Sequence, residues 1–125
     1  MPTWTRVPYD KPGSQLDLDS SSITLSGDLR AAWTRETFDS PQELVRGHIY
    51  GVRETVFWIF DCRGNTSTKA LSSYELTNGR ATQVDGQPDA SIFADPVRWS
   101  ELTRVTPGTP LAAIFNAVCS YPAER

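Results

Sequence analysis

From Val52 to Cys62 the chain reads Val-Arg-Glu-Thr-Val-Phe-Trp-Ile-Phe-Asp-Cys, a run without Gly or Pro and crowded with β-branched and aromatic residues. Side chains of this kind suit a pleated, half-buried surface. The period of two expected of a strand puts Val52, Val56, Trp58, Phe60 and Cys62 on one face, with Glu54 at its margin. The opposite face carries Arg53, Thr55, Phe57, Ile59 and Asp61. Both faces hold large apolar groups, so both need cover.

The flanking segments supply strand partners. Arg63-Gly64-Asn65 is a turn, and Thr66 to Leu76 returns as the hairpin partner. Upstream, Leu29 to Phe38 alternates again, with Leu29, Ala31 and Trp33 on one side and Arg30, Ala32 and Thr34 on the other. Ile23 to Leu25 precedes it through a turn at Gly27. Shorter strands are expected at Thr3 to Val7 and Gln15 to Asp19, with Ser20 to Ser22 as a turn. Ser40-Pro41 breaks the pattern, so Pro41 to Gly47 is expected to be a loop with room for one helical turn. Asn78-Gly79 marks another turn, before a short strand at Ala81 to Val84. Asp85 to Trp99, rich in Gly, Pro, Asp and Ser, is expected as a long surface loop.

The last element is a helix. Thr109 is a good N-cap, Pro110 fits the first helical position, and Leu111, Ile114, Phe115, Val118 and Cys119 fall on one stripe, with Pro122 closing it. Cys119 thus shares an apolar stripe, and Cys62 shares a strand face with Val56, Trp58 and Phe60. A helix packed on that face brings the two sulfurs together, and closing a loop of this length stabilises the fold by about 4 kcal/mol in the chain-entropy model. The other arrangement is a pair of buried free thiols in a cytosolic protein.

These elements make an α+β chain: a single antiparallel sheet with a C-terminal helix tethered by a disulfide to one face. Its 125 residues fit one domain, 1–125, with one core. A net charge of -3, with Lys and Arg scattered singly, provides no basic stripe for a phosphate backbone, which disfavours nucleic acid. Val56 to Phe60, as long an apolar stretch as any in the chain, falls far short of the roughly 20 residues of a membrane-spanning helix. Met1-Pro2-Thr3-Trp4 shows no signal-peptide pattern, so the chain is either cytosolic or a mature form whose leader has been replaced.

Several features in order resemble the surface-adhesin protein E family of bacterial exported proteins. They are Trp4, Asp19-Ser20-Ser21-Ser22-Ile23, the strand with Arg30 and Trp33, Asp61-Cys62, and Leu71-Ser72-Ser73-Tyr74. Trp99, Val105-Thr106-Pro107-Gly108-Thr109 and the closing Val118-Cys119 follow. The resemblance covers nearly the whole chain and implies an antiparallel sheet, a helix held on it by these cysteines, and export to the periplasm or cell surface. Better-known relatives adhere to host proteins. The matching residues belong to the scaffold, so no ligand-contacting residue carries over.

Catalytic patterns are poor. His48 is the single histidine and no G-x-S-x-G elbow exists, which leaves a Ser-His-Asp site without its parts. Pairing His48 with Cys62 for nucleophilic chemistry needs a thiolate that a disulfide removes. One His and two separated Cys make a poor zinc set. Asp17, Asp19, Ser21 and Asp28 fall on calcium-loop spacings, but Ser22 stands where that loop needs Gly. Asn65-Thr66-Ser67 fits a glycosylation sequon, although turn chemistry explains it as well. No cofactor and no enzyme activity are expected.

The function expected is therefore that of an exported protein-binding module, an adhesin for host or envelope proteins. The alternative is a periplasmic inhibitor or immunity protein that blocks a toxin or hydrolase through the loop Asp85 to Trp99. Phe57 and Ile59, pointing away from the helix, need cover: a loop such as Asp85 to Trp99 packs there as a second small core, or else the two residues form a partner face for another protein or a second copy of the chain.

Overall fold

The alternating run becomes an interior strand of one antiparallel sheet. The computed structural model describes residues 2–9, 12–45, 49–76 and 103–121. Among the described residues seven strands form the sheet: β1 (Trp4–Val7), β2 (Ser14–Asp19), β3 (Thr24–Ser26), β4 (Leu29–Val45), β5 (Ile49–Asp61), β6 (Thr66–Leu76) and β7 (Thr103–Arg104). Their order is β1-β2-β4-β5-β6-β7, with β3 paired to the start of β4. The helix, α1, spans Pro110–Ser120.

Two strands run further than their sequences suggest. Ser40-Pro41 does not end β4, which continues to Val45, and the loop expected there is corrected. Proline cannot donate to a ladder, so it survives in a strand only where the pairing is irregular. That condition is met: the register with β5 shifts between Thr37 and Gln42, whose partners are Arg53 and Gly51. On the other side Asp39 stays tied to β2, its amide donating to the Gly13 carbonyl at 2.9 Å. Strand β5 begins at Ile49, ahead of the alternating run. A second irregularity lies in β6, where Leu71 and Lys69 oppose the consecutive residues Phe57 and Trp58 and leave Ala70 as the extra residue of a bulge.

The turns use the residues their dihedrals demand. Gly27, at φ +63°, links β3 to β4, and Asn65, at φ +58°, occupies the left-handed region that asparagine tolerates better than most residues. The Asn65 carbonyl also accepts from the Val105 amide at 3.0 Å. Ser20–Ser22 forms a single 3-10 turn capped by Asp19.

The helix lies over β2, β4 and β1. Its buried residues Ile114, Phe115 and Val118 join Val7, Leu16, Leu18, Ala32, Phe60 and Val105 in one core. Phe60 and Phe115 meet edge to face, with ring centroids 5.8 Å apart. The sheet face bearing Val56, Trp58 and Phe60 is thus the helix face. Ala81 to Val84, the loop Asp85 to Trp99, His48 and Pro122 lie outside the described residues.

Candidate functional site

The disulfide and Arg30 hold the helix on the sheet, and a local cap fixes its first turn. Cys62 and Cys119 are joined, with Cα atoms 5.6 Å apart, so the strand and helix stripes meet as their periodicities require. At the start of α1, Thr109 Oγ1 accepts from the Ala112 amide at 3.1 Å, and Gly108 precedes it at φ +82°. At its end the Arg30 guanidinium, reaching over from β4, donates to the carbonyls of Val118 at 2.7 Å and Tyr121 at 2.8 Å. Terminal carbonyls of a helix have no partners within it, and a cation there satisfies both the bonds and the dipole.

Because α1 sits over β1, β2 and part of β4, a stretch of the helix-side face of β4 and β5 is left beside it as a cleft of about 230 Å³. Val56, Leu111 and Ile114 give the cleft apolar walls, and Trp58, Glu36 and Glu54 line it as well. The two glutamates are direct partners across β4 and β5, hence on one face. Lys69 Nζ donates to Glu54 Oε2 at 2.8 Å and stands 5.7 Å from the centre of the Trp58 ring. Ser14 Oγ donates to Glu36 Oε2 at 2.7 Å. Burial holds the Glu36 carboxyl above its ordinary value; the Ser14 bond opposes this, the Glu54 charge adds to it, and the Lys69 charge opposes it again.

Along α1 from Gly108 to Ser120 runs a wider, open groove of about 720 Å³, whose walls are Pro8 and Tyr9 on one side and Ala112, Ala113, Asn116 and Ala117 on the other. Small helical side chains leave this groove its width.

The opposite sheet face is built differently. Phe57 and Ile59 are buried within the chain, at 5% and 0% exposure, and Phe57 stacks at a tilt on Trp33 with centroids 5.3 Å apart. Nearby, Asp17 lies between Arg6 at 3.1 Å and Arg35 at 3.5 Å, and the Arg35 guanidinium covers the Trp4 ring at 4.3 Å. The Asp19 carboxylate accepts from the amides of Thr3 and Ser21. The acids that fit calcium-loop spacing are thus engaged in ion pairs and a cap. Among the described residues no group of three or more His, Cys, Asp or Glu side chains converges as a metal site.

The family model described as surface-adhesin protein E matches residues 4–120, a span that holds every described strand, the described helix α1 and both cysteines. The chain belongs to this family. No curated protein and no solved structure matches it. Membership of the surface-adhesin protein E family makes the chain an exported or cell-surface protein. Among the described residues no helix is long and apolar enough to cross a membrane.

In this surface-adhesin E chain the structure brings together Cys62 and Cys119 as the sequence indicates, and keeps Phe57 and Ile59 on the face away from the helix. The cleft residues Glu36 and Glu54, with Lys69 bonded to Glu54, were not legible as a group. Extending the alternation of Leu29 to Phe38 puts Glu36 on the helix side, but its meeting with Glu54 depends on the β4–β5 register, which no local pattern supplies.

Proposed function

We propose that this chain is an exported protein-binding module that acts at the cell surface as an adhesin for a host or envelope protein. The observation that carries the reading is the family match across residues 4–120. The disulfide supports it, since such bonds persist in oxidising compartments and a tethered helix keeps a surface rigid outside the cell. The open groove along α1 offers a surface for a polypeptide partner. Binding by a rigid module of this kind needs no catalytic group.

The test is display followed by adhesion. Bacteria expressing the chain from its natural export signal are labelled with an antibody before and after permeabilisation. Their attachment to immobilised host extracellular proteins is then compared with that of cells lacking the gene. Labelling of intact cells together with increased attachment supports the adhesin. Labelling only after permeabilisation places the protein in the periplasm and overturns the surface role. Display without increased attachment overturns adhesion to those host proteins.

A further inference from the structure

The cleft beside α1 brings acidic, aromatic and apolar side chains together. Two glutamates face each other across β4 and β5 at its rim, the Trp58 ring forms a wall, and the remaining walls are the apolar side chains of Val56, Leu111 and Ile114. Charges do not balance there. Among the described residues Lys69 is engaged with Glu54, whereas Glu36 is met by the neutral Ser14 hydroxyl, so two carboxylates share one ammonium. The first turn of α1 contributes no charged side chain; Pro110 has no N–H, and the amides of Ala112 and Ala113 donate to Thr109 Oγ1 and to the Thr109 carbonyl. Its helix end therefore does not make the cleft an anion site. Lys69 already shows what the surroundings accept: an ammonium bonded to a carboxylate near the face of an indole.

We propose that this cleft receives one lysine side chain from a partner polypeptide. The apolar stem lies along Leu111, Ile114 and Trp58, and the ammonium reaches Glu36. A butyl stem with a charged tip suits such a lining, since lysine buries its methylenes against apolar surface and keeps its head among polar groups. The assignment deepens the reading of the chain as a protein-binding module, yet is tested without it. It also couples binding to pH. Glu36 must be ionised to hold the ammonium, and the groups that face it are Ser14 from β2, Glu54 from β5 and Lys69 from β6. Because its carboxyl titrates above the ordinary range, acid weakens binding earlier than it would at an exposed glutamate.

The experiment uses the oxidised full chain, isotopically labelled, and titrates it with Nα-acetyl-lysine N-methylamide while amide and indole resonances are followed. Nα-acetyl-norleucine N-methylamide, which lacks the charge, is the control. Saturable shifts centred on Thr34, Glu36, Trp58 and Leu111 are expected with the lysine probe and not with the control. Glu36→Gln, which keeps shape and can still accept from Ser14, should weaken binding roughly fivefold, the worth of one ion pair near a surface. Its spectrum away from the cleft should be unchanged, which shows the variant is folded. In the unsubstituted chain the affinity should fall on acidification, and Glu36→Gln should flatten that fall. Equal response to both probes, shifts spread over unrelated surface acids, no saturation, or an unaltered affinity in Glu36→Gln each overturns the assignment. Display without increased cell attachment, together with intact lysine binding, would count against adhesion and leave the pocket standing.

Discussion

Glu36 carries an identifiable cost in the native state. A carboxyl held above its ordinary value of 4.5 binds its proton more tightly folded than unfolded, so the stability it contributes is complete below that value. That contribution is lost as pH rises through the folded-state value. Glu36→Gln should therefore raise the urea midpoint at pH 7 and reduce the decline in stability above pH 4.5. A lower midpoint at pH 7 would show that the ionised form is favoured by its surroundings. Arg30 makes the opposite kind of contribution, since one guanidinium nitrogen serves two carbonyls at the end of α1. Arg30→Met keeps the stem and removes the donors; it should cost about 1.5–3 kcal/mol in chemical denaturation, as for a hydrogen bond to a charged group. A change under about 0.5 kcal/mol would mean that water replaces both bonds without loss.

At the scale of elements, the helix and the sheet depend on each other. An eleven-residue helix is marginal alone, and most of its stability comes from packing one face. Phe115 is the largest side chain on that face, buried and in edge-to-face contact with Phe60. Phe115→Ala should cost about 3–5 kcal/mol, measured by the shift in denaturation midpoint at constant slope. A surface-like effect would mean that α1 is docked loosely. The β4–β5 pair shows a different dependence: its long ladder tolerates Pro41 because the register shift between Thr37 and Gln42 removes the demand for a donor at that point.

For the whole molecule, the disulfide joins positions 57 apart in sequence and so restricts the unfolded chain more than any local contact. Reduction should lower stability by about 4 kcal/mol in the chain-entropy model, read from denaturation with and without reductant. An unchanged midpoint would show that the unfolded chain is already compact at this closure. Replacing both Phe57 and Ile59 by Ser separates two roles for the second sheet face. Their burial within one chain predicts global destabilisation, seen as loss of the cooperative transition in circular dichroism. A folded monomer that has lost self-association or partner capture would instead make these residues a partner face.

The sequence by itself determined the elements whose signals are local. The period of two from Val52 to Cys62, the Thr109-Pro110 start and the apolar stripe of α1 each depend on residues close along the chain, and so placed both cysteines on faces that could meet. Tertiary structure decided what depends on distant partners. The β4–β5 register set Glu36 against Glu54, and a shift in that same register carried β4 through Pro41. The position of α1 over β1, β2 and β4 then left Trp58 and Lys69 beside an open cleft. None of these has a local signature, because cross-strand neighbours are chosen by the pairing of whole strands and a cleft exists only where two packed elements fail to cover each other.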